Sequence, residues 1–237
     1  MKAATRETEA PKTDALATFV NQSLTVPDYI KSGDTRGTEN IDSKDIRPPA
    51  LRLAQSGTPQ TKRQEASFID GLREGEFFNS LTNERYGEGP LYFVIVNQLG
   101  DRYVEFRPMA EGGGVIDPNV PENDKRTQFT TSEGPDGKTV RNKPIATKFY
   151  DFLILLLRQD GRRELMTLSL KGTQLKKAVD LNTRIKTIKL PSWAQVFQLD
   201  ALAERKAQFN YYGYRFTPSG WSAQDLFAAA EGFYEVM

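Results

Sequence analysis

The sequence predicts a β-rich α+β domain preceded by a polar N-terminal segment. Two runs of strand length, 91–96 and 149–157, are almost entirely apolar, which is typical of central strands buried on both faces. Apolar residues recur at helical spacing over 172–188 and again near the C-terminus, which indicates two amphipathic helices. A length of 237 residues is enough for one domain with a sizeable core.

The first 45 residues differ from the rest. They carry 6 basic and 8 acidic residues, and their few apolar residues show no sustained period. We therefore predict a disordered acidic tail over 1–45, followed by a folded domain over 46–237. Pro48 and Pro49 stop any helix and introduce an extended run over 50–54.

Segments with strand character follow the tail. Glu76 to Ser80 is the first, and Leu91 to Val96 is stronger. Arg102 to Arg107 alternates, with Val104 and Phe106 on one face. The run 149–157 and the alternating segment 164–170 are joined by a turn at Asp160 and Gly161, which predicts a hairpin.

Helical spacing begins at Gly172 and continues to Ile188, with one face formed by Leu175, Val179, Asn182 and Ile185. Pro191 ends this helix, and two further strands are predicted at 193–202 and 206–217. A last helix over 222–236 begins at a Ser222 N-cap and buries Leu226, Ala229 or Ala230, and Phe233.

This order of elements matches an OB-fold-like five-stranded barrel, with an N-terminal extension, an inter-strand helix and a C-terminal helix. Other β-rich folds produce a similar order, so the topology stays open at this point.

Missing residue types restrict the chemistry. Without cysteine or histidine there is no thiol or imidazole nucleophile, base or metal ligand, and we predict neither a cofactor nor an enzyme. The segment 134–139 has the wrong spacing for a P-loop. Glu204 and Lys206 supply only half of a nuclease motif, because the nearest preceding acid, Asp200, lies on the same segment.

No segment predicts export or membrane insertion. The N-terminus lacks an apolar signal region, and the longest apolar run, 152–157, has six residues against about 20 for a membrane span. A cytoplasmic location is therefore expected.

The near-neutral net charge of +1 hides an uneven distribution. Residues 141–215 carry 15 basic and 6 acidic residues, a net charge of +9, and nine aromatic residues. Cations interleaved with aromatic rings suit single-stranded nucleic acid, because rings stack on bases while cations follow phosphates. A solvated basic face without a partner would give the same pattern.

In the run 209–216, Tyr212, Tyr214 and Phe216 face one way on a strand, and Tyr211 and Arg215 face the other. One face must be core, so at least half of these rings are structural. The candidate nucleic-acid-binding residues are Arg102, Tyr103, Arg107, Lys148, Tyr150, Lys171, Lys176, Lys177, Arg184, Lys186, Lys189, Trp193, Tyr211, Tyr212, Tyr214 and Arg215.

Several stretches resemble a family of tailed-phage proteins from replication modules, some of which are regarded as single-stranded-DNA-binding proteins. The stretches are 36–39 (RGTE), 46–55 (IRPPALRLAQ), 77–82 (FFNSLT), 143–150 (KPIATKFY) and the Gly220-Trp221 pair before the last helix. The resemblance implies a role in DNA replication or recombination and an OB-like fold, and it assigns no DNA-contacting residue. Phage proteins of this function often end in a flexible acidic tail, whereas the acids here lie on a predicted helix.

The leading hypothesis is therefore a sequence-tolerant single-stranded-DNA-binding protein, whose acidic N-terminal tail recruits replication or recombination proteins. Homo-oligomers are compatible with it. The alternative is a virion or assembly protein with a basic protein-binding face, and a Mg²⁺-dependent nuclease is a distant third.

Overall fold

The computed structural model describes residues 36–40, 49–206 and 209–236. The chain divides into two units, 1–47 and 48–237, and the fold below is that of the second unit. The predicted acidic tail lies outside the described residues, apart from 36–40.

The described residues form eleven strands and two α-helices. In chain order they are β1 Leu51–Leu53, β2 Phe77–Asn79, β3 Arg85–Gly87, β4 Leu91–Phe106, β5 Val115–Val120, β6 Thr130–Glu133, β7 Thr139–Asn142, β8 Ala146–Leu157, β9 Arg163–Lys171, α1 Leu175–Ile188, β10 Gln195–Lys206, β11 Phe209–Trp221 and α2 Gln224–Glu235. None of the helices among them is long and apolar enough to cross a membrane.

The main sheet has the strand order β11-β10-β4-β8-β9, with β5 paired to the far part of β4. Its pairs are antiparallel. Both faces of its central strands are covered, because side chains of opposite direction lie in two separate hydrophobic clusters. The sequence predicts that the apolar runs 91–96 and 149–157 form central strands, and this is confirmed, because they lie in β4 and β8.

The larger cluster covers one face of this sheet. Phe93, Ile95, Phe152 and Ile154 pack there with α1, through Ala178 and Leu181, and with β1 and β2, through Leu51, Leu53 and Phe77. On the opposite face, Val94, Val96, Leu153 and Leu155 pack with Trp193 and with Leu226 and Ala230 of α2. Burying one such large apolar side chain contributes about 1.5–3 kcal/mol.

The predicted five-stranded barrel is not found: the antiparallel sheets are open, and none closes into a barrel. The outer edge of β11 meets side chains instead of a strand, since Gln55 accepts from the Tyr212 amide and donates to its carbonyl, both at 2.9 Å. Gln174 accepts from the amide of Tyr214 at 3.2 Å. These side-chain amides satisfy the edge locally, so no further strand is required there.

A second difference concerns β4. The sequence separates 91–96 from 102–107, whereas the structure has one strand of 16 residues. Two register shifts, at 95/97 and 98/100, interrupt its pairing with β8. Their effects on side-chain alternation cancel, so the predicted alternation of Val104 and Phe106 against Tyr103 is confirmed.

Both predicted helices are present, but some of the residues that they bury differ from the prediction. Val179 is 46% exposed, and Ala178 is buried in its place, because the sheet contacts the helix one residue earlier than the pattern indicates. In α2, Leu226 and Ala230 are buried as predicted, while Phe233 is 36% exposed. Ser222 caps no helix and donates to the carbonyl of Trp193 at 2.5 Å.

Candidate nucleic-acid interface

At the far end of the main sheet, β4 and β8 bring predicted site residues together. Tyr103 lies opposite Lys148, and Asp101 lies opposite Tyr150. The Lys148 ammonium is 2.5 Å from an Asp101 carboxylate oxygen, 4.7 Å from the Tyr150 ring centroid and 5.6 Å from that of Tyr103. Burial alone would lower the pKa of Lys148, but its hydrogen bond to Asp101 raises that pKa above its usual value.

The other face of the same sheet end holds a second set of contacts. Arg102 lies opposite Phe149, with its guanidinium 4.8 Å from that ring centroid. Its Nε donates to Asp151 at 2.7 Å. Each of these two cations, Arg102 and Lys148, is therefore fixed by one carboxylate and by aromatic contact, which defines its position but offsets its charge.

Lys171 ends β9 on this second face. Its ammonium lies 5.1 Å from the Phe106 ring centroid and 5.3 Å from that of Phe149. Although much of the side chain is exposed, burial of the charged end lowers the pKa of Lys171, and repulsion from Arg52 lowers it further. No carboxylate within the described residues pairs with Lys171, so its charge is available to an anion from outside.

We call these residues the sheet-end cluster: Arg102, Tyr103, Phe106, Lys148, Phe149, Tyr150 and Lys171. Tyr103 and Tyr150 are half-buried, so part of each side chain remains accessible, and Tyr150 also packs against the larger core cluster. Arg107, directly after the cluster, is exposed and has no ion pair among the described side chains. The cluster and Arg107 together thus offer four cations and two accessible tyrosine rings against two carboxylates.

A groove of about 440 Å³ lies between α1 and the β10–β11 hairpin. We call it the helix–hairpin groove, and it is lined by Lys177, Asp180, Leu181, Arg184, Phe197, Leu202, Glu204, Tyr214, Arg215 and Phe216. It brings together four predicted site residues: Lys177, Arg184, Tyr214 and Arg215.

Acidic side chains balance the cations of this groove. Lys177 forms an ion pair with Glu204, and Arg215 pairs with Asp200 at 3.2 Å. Burial would raise the pKa of Glu204, but hydrogen bonds from Lys177 and from Tyr211 lower it below its usual value. Asp180 lines the groove together with Arg184. The cations and acids of the groove are therefore close to equal in number.

The aromatic rings of the hairpin are largely structural. Tyr212, Tyr214 and Phe216 pack against the larger core cluster, as the predicted division of this strand into two faces requires. Burial raises the pKa of Tyr214 to about 12, and its ring lies 6.1 Å from that of Phe77. Trp193 is 7% exposed, so its ring offers little surface to a base.

The remaining predicted cations lie on the outer surface of α1 and after it. Lys176, Lys186 and Lys189 are exposed, and none has an ion pair in the described part of the chain. They add positive charge without adjacent rings. Tyr211 is half-buried and lines a separate depression with Glu74 and Glu204, a setting unfavourable to phosphate.

Sequence reasoning missed the acids that pair with these cations, and it missed Phe106 and Phe149. Asp101 lies 47 positions before Lys148 in the chain, so only the pairing of β4 with β8 makes them neighbours. The alternation of 102–107 is a signal that places Phe106 on the same face as Arg102, but strand pairing is needed to add Phe149.

Within the described residues, no group of three or more acidic side chains is arranged to hold a metal ion. The model of one protein family, described as Pam3 phage gp34-like protein, matches residues 19–237. The chain belongs to the Pam3 phage gp34-like family.

Membership of this gp34-like family confirms that the resemblance is to a phage protein family. The family's description names no ligand and no activity, so the DNA-related part of the resemblance stays a prediction. No curated protein and no solved structure matches this gp34-like chain.

Proposed function

We propose that the protein binds single-stranded DNA without strong sequence preference, as a non-enzymatic component of phage DNA replication or recombination. The sheet-end cluster is the observation that carries the proposal. Accessible tyrosine rings lie within contact distance of cations there, and Lys171 and Arg107 have no carboxylate partner among the described residues. Cations suit the phosphates and rings suit the bases of a flexible single strand.

Each residue has a distinct role in this proposal. Tyr103 and Tyr150 stack on bases, while Lys148 stays between their rings and approaches the phosphate that follows. Lys171, Arg102 and Arg107 attract the strand around the edge of the sheet. The three lysines on and after α1, namely Lys176, Lys186 and Lys189, contribute a more diffuse attraction.

The first test is a fluorescence-polarisation titration with a labelled thymidine 30-mer between 50 and 200 mM salt. If about four phosphates are neutralised, the logarithm of the affinity falls with the logarithm of the salt concentration at a slope of about −3, or about 50-fold over this range. Absence of saturable binding at about 50 mM salt would contradict the proposal.

The site is tested by Tyr103→Ala. Loss of one stacking ring weakens binding about 10-fold, since base–aromatic stacking contributes about 1–3 kcal/mol. Tyr211→Ala is the matched control, because Tyr211 lies beside two acids, and its affinity should stay within about twofold of the unchanged protein. Equal losses in both variants would place the site elsewhere.

A virion or assembly protein is the second candidate, favoured by exposed aromatic side chains at the C-terminal end. Trp221 is 63% exposed and Tyr234 is 48% exposed, and residues 216–237 carry three acids and no basic residue. Exposed aromatic residues are enriched at protein–protein interfaces. Co-purification of other phage proteins after nuclease treatment, combined with absence of DNA binding, would favour this candidate.

The acidic tail over 1–45 stays a predicted docking segment for replication or recombination proteins.

A further inference from the structure

Strands β6 and β7 form a two-stranded ribbon outside the main sheet. Thr130 pairs with Asn142 and Thr131 with Arg141. All of its strand residues are exposed except Asn142, which is half-buried. A two-stranded ribbon of this kind buries little apolar surface and is marginally stable alone. Core packing therefore does not explain why the chain forms it.

Both ends of the ribbon are anchored beside the sheet-end cluster. Before β6, Arg126 donates to Glu105 at 2.6 Å and also pairs with Asp124 at 2.9 Å and with Asp117 at 3.2 Å. After β7, Ala146 lies opposite the same Glu105 in the β4–β8 pairing. Glu105 is two residues from Tyr103, so the ribbon is anchored next to the surface proposed to bind DNA.

The ribbon repeats the chemistry of that surface. Phe129 is 55% exposed, and the guanidinium of Arg141 lies 3.9 Å from its ring centroid. Residues 125–148 carry six basic and two acidic residues. Lys125, Arg141 and Lys143 have no ion pair among the described side chains, so their charges are available to a ligand.

The composition of the ribbon favours a nucleic acid over a protein partner. Its strands hold one large apolar side chain, Val140, and otherwise mainly threonine and charged residues. A protein interface would be expected to present a contiguous apolar centre. A single exposed ring stacked with arginine instead matches a platform for one base.

We infer that the β6–β7 ribbon is a second contact element for single-stranded DNA, in which Phe129 stacks on a base and Arg141 and Lys143 contact the adjacent phosphates. This inference rests on the proposed function. It adds Phe129, a ring that precedes the segment 141–215 in which the sequence concentrates positive charge.

The test uses the full-length chain and the thymidine 30-mer at about 100 mM salt. Phe129→Ala should weaken binding about 10-fold, and Arg141→Gln should reduce the steepness of the salt dependence by about 0.7. Val140→Ala is the matched control, since this side chain lies on the same ribbon and is 44% exposed. Its affinity should stay within about twofold of the unchanged protein.

A second readout does not depend on loss of affinity. In Phe129→Trp, the added indole should be quenched when the thymidine oligonucleotide binds, because a stacked base quenches it. In Val140→Trp the added emission should change little. Thermal unfolding of each variant by circular dichroism should match the unchanged protein, because these side chains are exposed.

The outcomes separate the two proposals. If the unchanged protein does not bind DNA, the proposed function fails and the inference with it. If it binds, but Phe129→Ala matches Val140→Ala and Phe129→Trp is not quenched, the inference is overturned while the proposed function stands. A change of oligomeric state in Phe129→Ala, measured by light scattering, with DNA affinity unchanged, also overturns it and assigns the ribbon to a protein contact.

Discussion

The sheet-end cluster and the helix–hairpin groove contain similar residues but differ in charge balance. Each combines three cations with tyrosine or phenylalanine rings. In the groove, Lys177 and Arg215 are paired with acids, while Arg184 has no ion pair within the described residues and lines the groove together with Asp180. In the cluster, Lys171 has no carboxylate partner within the described residues.

One ring of the sheet-end cluster, that of Tyr103, also differs from the rings of the groove in its relation to the core. Tyr214 in the groove is packed into the larger core cluster with Phe216, at a ring separation of 6.1 Å. Tyr103 in the sheet-end cluster lies outside both core clusters and contacts Lys148, whereas Tyr150 packs against the larger core cluster as Tyr214 does. A region rich in cations and rings therefore suits DNA only where the cations exceed the acids and the rings are not needed by the core.

The largest expected effect comes from breaking the support of the hairpin. Gly75 has a φ of +85°, and a β-carbon there would lie 2.6 Å from Cε1 of Tyr212. Gly75→Ala should lower the free energy of unfolding by about 2–5 kcal/mol, from backbone strain of about 1–2 kcal/mol and overpacking of about 1–3 kcal/mol. Urea unfolding measures this change.

Gly57→Ala is the control for that change, because no atom lies within 4 Å of a β-carbon at Gly57 and its φ is not positive. DNA affinity of the folded Gly75→Ala protein should be kept, since the sheet-end cluster is intact. Equal stability of the two variants would show that the Tyr212 ring is not wedged against Gly75.

A smaller effect, on DNA affinity, distinguishes the sheet-end cluster from the helix–hairpin groove as the binding site. Lys171→Gln should weaken oligonucleotide binding about fivefold at 0.1 M salt, because loss of one phosphate contact reduces the slope of the salt dependence by about 0.7. The matched variant in the groove is Arg184→Gln, for which a change below about twofold is expected. If the groove variant is affected as strongly, the strand also crosses the groove.

The smallest effect is spectroscopic and concerns the buried ring of the groove. Burial raises the pKa of Tyr214 to about 12, so its neutral form stabilises the folded state below pH about 10, and this contribution is lost as the pH rises toward 12. Absorbance at about 295 nm should therefore rise equally in Tyr214→Phe and the unchanged protein up to pH about 11. A smaller rise in the variant near pH 10 would mean that the ring is accessible to solvent.

Much of the secondary structure can be predicted from local sequence patterns. The apolar runs of β4 and β8 predict central strands because both faces are buried. The division of the run 209–216 into two faces follows from the period of two, but only the structure shows that the face with Tyr212 and Phe216 is the one packed against the larger core cluster. The open sheets were not predictable in this way, because the groups that bond to the edge of β11, such as Gln55 and Gln174, are distant in the chain.

The candidate site was only partly predictable. The net charge of +9 along 141–215 already subtracts Glu204 and Asp200, which pair with Lys177 and Arg215, but it includes Lys148 without its partner Asp101. Asp101 lies outside that segment, so no count within the segment includes it.

By itself, the sequence determined the strand and helix segments, the absence of thiol and imidazole chemistry, and the concentration of cations and rings in 141–215. Those properties depend on residue type and local spacing. Only the tertiary structure decided which cations are balanced by acids, which rings belong to the core, and that Arg126 anchors the β6–β7 ribbon to Glu105 near Tyr103. Those properties depend on strand pairing between residues far apart in the chain, where charge and burial are set by neighbours in space.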